Sequence, residues 1–318
     1  MITDEKILIT GVTGVVGRSV AMELAPRNEV WGLARFAAPA DRAIELAAAN
    51  ERDTVSHRQR LEAAGVTLRP FDLVSGDVTE LPDDFTYVLH LSWLRAEIAQ
   101  LETALRANVE GPGLLLQHCR NAKAALIMSG MGIYTGNPDP WHAYTESDPI
   151  GRGATAYAAT SPASKLGIEA VARFCARAFD LPIVITRLNT VNGVPETFPG
   201  KHISAVLNGE TMVAPSDPNP HRPIHLDDIN GQLEAMLDAA RTPATITNWC
   251  GDDVVTAQQM IAEASAWSGK PGSIEVRAVP GAPAGTMADN TKRLSITGPC
   301  RTNFADAYRK LYDEMVRA

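Results

Sequence analysis

Apolar and polar positions along the chain fall into two alternating kinds of segment. Short apolar runs rich in β-branched residues predict strands buried on both faces at residues 7–10, 30–34, 67–70, 87–91, 125–129, 183–187 and 244–249. Stretches rich in Ala, Leu, Glu and Arg predict helices at residues 18–25, 40–64, 96–119, 163–178, 203–208 and 256–268. Because strands and helices alternate, we expect an α/β fold built on a doubly wound parallel sheet.

Composition narrows the classes of function that this fold could serve. The net charge of -8 and the isoelectric point near 5.4 argue against nucleic acid as a partner, because a phosphate backbone selects basic surfaces. No apolar run approaches the roughly 18–20 residues that span a bilayer, and no signal peptide is evident, so we expect a cytoplasmic protein without membrane contact. The four cysteines are far apart, and we expect reduced thiols and no metal site.

The most specific motif stands near the N-terminus, where the first predicted strand runs directly into a glycine-rich turn and a predicted helix. This context is typical of a site for dinucleotide phosphates. Gly11 would allow the tight turn, Gly14 the approach of the pyrophosphate, and Gly17 the close packing of the helix. We therefore expect cofactor contacts from the turn, at Gly11, Thr13, Gly14, Val15, Val16 and Gly17.

The end of the second predicted strand indicates which dinucleotide binds. An acidic residue there would hold the ribose 2′-hydroxyl of NAD, whereas this chain has Ala34 followed by Arg35. A cation suits a 2′-phosphate, so the sequence favours NADP over NAD, with Arg35 as the contact. We therefore expect an NADP-binding Rossmann domain over residues 1–190. Residues 191–318 are expected to form a smaller mixed α/β lobe for substrate, partly interleaved with the first domain.

Further motifs follow the glycine turn in a recognisable order: Asp72-Leu73, His90-Leu91-Ser92-Trp93, Asn108 with Gly111, Ser129 through Gly136, Arg187-Leu188-Asn189, and Ile224-His225 with Asp227 and Asp228. Together they resemble the extended short-chain dehydrogenases/reductases, the NAD(P)-dependent epimerase/dehydratase-like family, over essentially the whole chain. The resemblance implies more cofactor contacts, at Asp72, Leu73, Leu91, Ser92, Trp93, Asn108, Lys165, Leu188, Asn189 and Val191.

The chain departs from the resemblance at the residues that do the chemistry. In this family a tyrosine exchanges a proton with the reacting oxygen, and a lysine four residues later lowers the pKa of that tyrosine. This chain keeps the lysine as Lys165 but has Ser161 at the position of the tyrosine. Gly130 stands where relatives carry a serine or threonine. The resemblance thus implies a complete cofactor site beside an atypical catalytic set.

Three interpretations follow from the missing tyrosine. Another hydroxyl could supply the proton, from Tyr157, Tyr134, Ser129 or Ser161, although a serine is a poor acid near neutral pH. Alternatively, Lys165 or water could protonate the product. In the third interpretation, the protein binds NADP without catalysing a reaction.

The function favoured by the sequence is that of an NADP-dependent oxidoreductase acting on a small carbonyl, enone or alcohol. A nucleotide-sugar epimerase or dehydratase is the first alternative, and a non-catalytic NADP-binding regulator is the second. Nucleotide-sugar members of the family often place an arginine before the Ile-His-Val segment, and Arg222 is one position off. The expected partner is a small-molecule substrate, and a homodimer is left open.

Overall fold

The computed structural model of the protein describes residues 2–36, 54–151, 153–155 and 158–317. Within this part of the chain, the main sheet has seven strands: β1 (Lys6–Thr10), β2 (Glu29–Ala34), β3 (Thr67–Pro70), β4 (Tyr87–His90), β5 (Ala124–Gly130), β6 (Ile183–Leu188) and β11 (Thr245–Trp249). Short two-stranded pairs join β7 (Val191–Asn192) to β10 (Ile224–His225), β9 (Pro220–His221) to β12 (Val255–Thr256), and β8 (Thr211–Ala214) to β13 (Ser273–Val276).

The strands of the main sheet follow the order β11-β6-β5-β4-β1-β2-β3. β1 pairs in parallel with β2 on one side and with β4 on the other, so that Thr10 lies opposite both Leu33 and His90. β2 and β3, and β4 and β5, are parallel too. The prediction of a doubly wound parallel sheet is confirmed. In such a sheet the strands reverse order beside β1, and ligands bind at the carboxyl ends of the strands there.

Ten helices are described: α1 (Val15–Leu24), α2 (Thr54–Ala63), α3 (Leu101–Leu105), α4 (Gly111–His118), α5 (Ser161–Phe179), α6 (Phe198–Asn208), α7 (Leu226–Asp238), α8 (Ala257–Ser268), α9 (Thr291–Thr297) and α10 (Phe304–Arg317). Much of the helix predicted over residues 40–64 lies outside the described residues, and α2 is its described part. None of these helices is long and apolar enough to cross a membrane.

The helix predicted over residues 96–119 is observed from Ile98 to His118, but it is not a regular α-helix throughout. A short 3₁₀ turn precedes α3, and a π-helical turn, Arg106–Glu110, separates α3 from α4. Pro112 cannot donate a helical backbone hydrogen bond, so the regular ladder is interrupted here. Gly111 lies so close to the preceding loop that a Cβ on it would be 2.0 Å from the Leu73 carbonyl oxygen. The wider turn directs Asn108 inward, where it is 1% exposed.

The first of two compact units comprises residues 1–132, 156–186 and 232–246. Its core joins the sheet to α4 and α5, because the inward faces of these helices carry small and branched apolar residues. The central side chains of this core are Leu8, Leu33, Val88, Leu115, Ile127, Ile168, Ala172 and Ile185.

The second unit comprises residues 133–155, 187–231 and 247–318. Its core packs α6, α8 and α10 together through Ile203, Val206, Met260, Phe304, Tyr308 and Leu311. No sequence prediction covered α9 and α10. The regular apolar spacing of α10 (Phe304, Ala307, Tyr308, Leu311 and Tyr312, all buried) is the signal that would have identified it.

Candidate functional site

The glycine turn after β1 can be built only with glycine at two positions. Gly11 has a φ of 71°, in the left-handed region, and a Cβ on it would lie 2.6 Å from the Ser92 Cα atom. A Cβ on Gly17 would lie 2.3 Å from the Gly11 carbonyl oxygen. A Cβ on Gly14, by contrast, meets only that same oxygen, at 3.1 Å, among the atoms of the described residues. The side of the turn at Gly14 is therefore open to a ligand.

Helix α1 begins directly at this open side, with Gly14 as its N-cap. The backbone N–H of Arg18 donates to the Gly14 carbonyl and closes the first turn. The N–H groups of Val15, Val16 and Gly17 consequently stand at the helix start, where they and the helix dipole attract an anion. These residues fit the pyrophosphate of a dinucleotide. A bound nicotinamide dinucleotide would supply the hydride acceptor or donor, which no amino-acid side chain provides.

Arg35 follows the strand that lies next to the glycine turn. The Gly11 N–H donates to the Leu33 carbonyl at 3.0 Å, which joins the start of the turn to the end of β2. Arg35 is exposed two residues further on, and Phe36 has a φ of 49°. The residue predicted to meet a 2′-phosphate therefore follows the strand end beside the predicted pyrophosphate site.

The Asp72-Leu73 motif forms the turn after β3. The Asp72 carboxylate accepts a hydrogen bond from the Val74 N–H at 3.0 Å, while the side chain stays exposed. Leu73 packs partly buried against the core of the first unit, and its carbonyl is the group that requires Gly111 on α4. The contact predicted between Asp72 and adenine stays a prediction.

The segment after β4 is tied to the end of β1. The Thr10 hydroxyl accepts from the Ser92 N–H at 3.2 Å and lies 2.9 Å from Nδ1 of His90. A hydroxyl can both donate and accept, so the Thr10 oxygen holds the Ser92 backbone and the His90 ring together. Burial lowers the pKa of His90 to about 3, so the ring is neutral. Leu91 is buried and Ser92 is half-buried.

Asn108 anchors the same segment from the π-helical turn. Its side-chain oxygen accepts from the Leu94 N–H at 2.8 Å, and its amide nitrogen donates to the Leu94 carbonyl at 2.9 Å. From the residue directly before α5, the Thr160 hydroxyl donates to the Ala96 carbonyl at 3.1 Å. These contacts hold the backbone on the C-terminal side of Trp93 in one conformation. The predicted cofactor contact of Asn108 stays a prediction.

Lys165 lies against Trp93. Its ammonium nitrogen is 3.6 Å from the centroid of the Trp93 ring and donates to the Met128 carbonyl at 3.1 Å. The Trp93 indole N–H in turn donates to the Ser161 hydroxyl at 3.2 Å. Burial lowers the pKa of Lys165 to about 7, against the opposing effect of Glu169. Both protonation states of this amine are therefore populated near neutral pH.

The other hydroxyls predicted as proton donors have different surroundings. Ser129, next to Met128 on β5, is buried, and its Oγ atom has no hydrogen-bond partner among the described residues. Ser161 accepts from Trp93, as described above. Tyr157 lies outside the described residues. Lys165, Ser161 and Ser129 are thus all in the first unit, with the glycine turn.

Tyr134 belongs to the second unit and is only 2% exposed. Its hydroxyl donates to the Asn248 side-chain oxygen at 2.6 Å and accepts from the Arg187 guanidinium at 3.0 Å. The ring stacks on Tyr144, with 5.0 Å between the centroids. These contacts engage the Tyr134 hydroxyl within the second unit, and its role as a proton donor stays a prediction.

The remaining predicted cofactor residues lie in the strand and turn that follow α5. Leu188 and Val191 are half-buried. Asn189 is buried, and its side chain donates to the Thr286 carbonyl at 2.7 Å and accepts from the Thr190 N–H at 2.6 Å. That side chain therefore shapes its own turn within the second unit.

His221 directly precedes Arg222, the arginine that stands one position away from the one often found in nucleotide-sugar members. Its Nδ1 lies 3.0 Å from the Thr190 hydroxyl and 2.7 Å from the Thr286 hydroxyl, and its Nε2 lies 2.9 Å from the Asn219 side-chain oxygen. Burial lowers the pKa of His221 to about 3. A neutral ring with both nitrogens engaged offers no positive charge to a ligand.

No group of three or more His, Cys, Asp or Glu side chains in the described part of the chain could hold a metal ion. The feature that sequence reasoning missed is the contact of Trp93 with both Lys165 and Ser161. A signal was present, since Trp93 replaces the final alanine of the motif His-Leu-Ala-Ala and Ser161 replaces the tyrosine. One large side chain is gained where another is lost, and only the fold brings the two positions together.

Three solved structures illustrate what the chain is similar to. They are the UDP-glucuronic acid 4-epimerase of Bacillus cereus (TM-score 0.81, 21% identity, covering 98% of this chain and 99% of that one), the UDP-N-acetylglucosamine 4-epimerase of Methanobrevibacter ruminantium M1 (0.79, 19%, 99% and 99%), and the dTDP-glucose 4,6-dehydratase DesIV of Streptomyces venezuelae (0.78, 20%, 98% and 97%). At these identities the similarity shows the fold. No curated protein sequence matches the chain.

The sequence itself matches a family model. Residues 7–245 match the model described as the NAD dependent epimerase/dehydratase family, which covers most of the chain and includes the glycine turn, the segment after β4 and α5. The seven-stranded parallel sheet and the open glycine turn at the start of α1 agree with that match. The chain belongs to the NAD-dependent epimerase/dehydratase family.

Proposed function

We propose that this protein is an enzyme that moves a hydride between a bound nicotinamide dinucleotide and a carbinol carbon of a nucleotide sugar, as an epimerase or a dehydratase does. The observation that carries the proposal is the open glycine turn at the N-terminus of α1. The turn lies in the same unit as Lys165, whose amine is held beside the carboxyl end of β5. Family membership supports the type of reaction.

The substrate class is supported by the solved neighbours, whose names specify UDP-glucuronic acid, UDP-N-acetylglucosamine and dTDP-glucose as substrates. Within the chain, the N–H groups of Val15, Val16 and Gly17 would hold the pyrophosphate of the cofactor. The buried Ser129 hydroxyl, which has no partner among the described residues, is available to bind the reacting oxygen of the sugar.

The direct test is incubation of the purified protein with a panel of UDP- and dTDP-hexoses and a trace of NAD or NADP. Epimerase or dehydratase activity converts the sugar, followed by proton NMR, without accumulation of reduced cofactor. Retention of cofactor through purification supports the same reading, because an enzyme that cycles its cofactor has no need to release it. Binding of cofactor without conversion of any sugar in the panel contradicts the proposal.

A reductase of small carbonyl or enone compounds is the second candidate, and His221 is the observation that favours it. A nucleotide sugar brings two phosphates, and the neutral His221 offers them no positive charge. Such an enzyme consumes NADPH in proportion to product, which a panel of ketones, aldehydes and enones measures by absorbance. Tight cofactor binding without turnover in either panel favours the non-catalytic NADP-binding regulator.

The preferred cofactor is proposed to be NADP. Family membership establishes NAD-type chemistry, whereas the sequence after β2 combines Ala34 with an exposed Arg35. A guanidinium pairs with a phosphate in two parallel hydrogen bonds and has no comparable partner on the ribose of NAD.

A homodimer is proposed from an exposed apolar patch on the first unit. Phe174 on α5 is 64% exposed, and Leu114 on α4 is 44% exposed. Glu110, directly before α4, and Arg177 on α5 are both exposed, so a second copy with α4 facing α5 would pair opposite charges around the patch. Phe174→Glu is expected to give monomers by analytical ultracentrifugation. Val316→Glu, a change at an exposed valine on α10, is the control that should leave the mass unchanged.

A further inference from the structure

We propose that the Lys165 amine itself exchanges the proton with the reacting oxygen, and that Trp93 positions it for this task. The inference rests on the proposed hydride-transfer function and names its acid-base group. All the residues involved belong to the first unit, and their contacts are described within it.

Trp93 reaches the place that the family's tyrosine would occupy. Ser161 stands four residues before Lys165, and its side chain is too small to fill the volume that the phenol ring of a tyrosine would take there. The Trp93 indole extends from the segment after β4 and donates its N–H to Ser161 at 3.2 Å. Asn108 fixes the backbone next to this tryptophan through both polar groups of Leu94. The indole is therefore held in place.

The other groups near Lys165 are poor proton carriers. Trp93 has no acidic proton in the neutral range, and the Ser161 hydroxyl is a far weaker acid than a phenol. His90 stays neutral because it is buried, and one of its nitrogens is engaged by Thr10. Among these groups, Lys165 is the one that can both gain and lose a proton near neutral pH.

Opposing forces act on the Lys165 amine. Burial favours the neutral form, and the Arg95 charge acts in the same direction. Glu169 favours the ammonium, and so do the Trp93 ring face at 3.6 Å and the Met128 carbonyl. Because burial outweighs the effects that favour the ammonium and brings the pKa of the amine to about 7, the amine can act as a base in one direction of the reaction and as an acid in the other.

The proton transfer balances in both directions. During oxidation the carbinol carbon loses its hydrogen with the C–H electron pair, as a hydride, to the bound cofactor. The O–H proton passes to the neutral Lys165 amine, the O–H electron pair completes the C=O bond, and the amine becomes an ammonium. During reduction the hydride returns to the carbonyl carbon, and the Lys165 ammonium gives its proton to the oxygen. An epimerase cycle therefore leaves Lys165 in its starting state.

The first test needs neither cofactor nor substrate. Competitive labelling of the whole protein with acetic anhydride, read by peptide mass spectrometry across pH 5–11, reports where each lysine loses its proton. Lys165 is expected to become reactive near pH 7, and exposed Lys310 on α10 is the internal reference. A Lys165 reactivity curve that rises no earlier than that of Lys310 overturns the inference, whatever the protein does with nucleotide sugars.

The second test separates proton exchange from positive charge. Lys165→Arg keeps a cation but cannot exchange a proton near neutral pH, and Lys165→Met removes both properties. We expect both variants still to bind cofactor through the glycine turn, with weaker affinity where the Lys165 contact is lost, and to lose turnover by about 10²–10⁴-fold, the usual range for a general acid or base. In Lys165→Cys, alkylation converts residue 165 to thialysine, a weaker base than lysine. This variant should regain turnover, with the pH dependence of turnover shifted to lower pH. Cys300→Ser provides the background, because Cys300 is the least buried of the four cysteines.

Tyr157→Phe and Tyr134→Phe complete the design. In both phenylalanine variants, the plot of turnover against pH is expected to keep the limb that the titration of Lys165 produces. Full activity in Lys165→Arg overturns the inference. Loss of that limb in Tyr157→Phe alone also overturns it, and makes Tyr157 the proton donor. If labelling shows the early titration of Lys165 but only small carbonyls are turned over, the substrate proposal fails. The assignment of the acid-base group then stands and is tested with those compounds.

Discussion

The ammonium nitrogen of Lys165 lies 3.6 Å from the centroid of the Trp93 ring, on the same side chain whose N–H donates to Ser161. A cation over an indole face is stabilised by about 0.5–2 kcal/mol. This favours the ammonium, whereas burial favours the neutral amine. The pair therefore links Trp93, which stands in place of a small residue of the family's motif, to Lys165, the lysine that the chain shares with that motif.

The exchange of large and small residues at positions 93 and 161 can be reversed by mutation. Ser161→Tyr alone should lose turnover, because the phenol competes with the indole for the same space. Combining it with Trp93→Ala should recover turnover above that of either single variant, because the tyrosine and Lys165 then have the arrangement found in relatives. Steady-state kinetics on the folded variants measures this. A double variant no more active than Ser161→Tyr contradicts the idea that the two side chains share one site.

Cofactor preference depends on Arg35. Removing a charge-assisted contact with a 2′-phosphate costs about 1.5–3 kcal/mol, and tenfold in affinity corresponds to about 1.4 kcal/mol. Arg35→Ala should therefore weaken NADP binding at least about tenfold and leave NAD binding nearly unchanged. Fluorescence titration of both cofactors measures the ratio. Arg27→Ala, an exposed arginine paired with Glu23, is the matched control. Equal losses for the two cofactors would refute the role of Arg35.

Two glycines of the turn should respond differently to the same change. Gly14→Val should keep the fold, since Gly14 has a φ of -73° and only the Gly11 oxygen nearby, but it should abolish cofactor binding. Gly17→Val should destabilise the protein by about 1–3 kcal/mol or more, because its Cβ would lie 2.3 Å from the Gly11 oxygen. Thermal unfolding and cofactor titration separate the two outcomes. Normal cofactor binding by a folded Gly14→Val variant would mean that the phosphates lie elsewhere.

Asn108 is expected to matter for stability as well as for the site. Asn108→Ala removes two hydrogen bonds and leaves the buried Leu94 N–H and carbonyl without these partners. An unsatisfied buried polar group costs about 1–3 kcal/mol, so unfolding in urea should show a loss of at least that size. Gln117→Ala, at an exposed position on α4, should be nearly neutral. A loss no larger than that of the control would show that the segment after β4 does not depend on Asn108.

Stability should depend on pH through Lys165. Burial lowers the pKa of this lysine to about 7 in the folded protein, whereas an unfolded lysine titrates near about 10.4. Between these values the unfolded chain binds more protons, so this lysine makes the folded state less stable as the pH falls from about 10 to about 7. Lys165→Met should therefore raise the melting temperature more at pH 6 than at pH 9.5. Lys310→Met, at an exposed lysine, is the control, and an equal shift at both pH values would contradict the prediction.

Local sequence determined the sheet strands and the glycine turn of this protein. Apolar runs such as 7–10 and 183–187 have few ways to be buried other than as central parallel strands, and the observed strands of the main sheet differ from the predicted ones by at most one residue at each end. The turn was predictable because a Cβ added at Gly11 or Gly17 would meet backbone atoms. Those atoms are near in sequence to the glycine or belong to the end of the adjacent strand. These constraints are steric and act at short range, so a short motif carries them.

Tertiary structure alone decided the surroundings of the reactive groups. The sequence placed Lys165 on a helix, but its pKa depends on burial by residues far away in the chain and on the Trp93 ring 72 positions earlier. In the same way, the places of Tyr134 and Asn108 in the sequence do not indicate that their side chains bond to Asn248, Arg187 and Leu94. Hydrogen bonding and desolvation depend on which atoms the fold brings within a few ångströms, and sequence spacing does not contain that information.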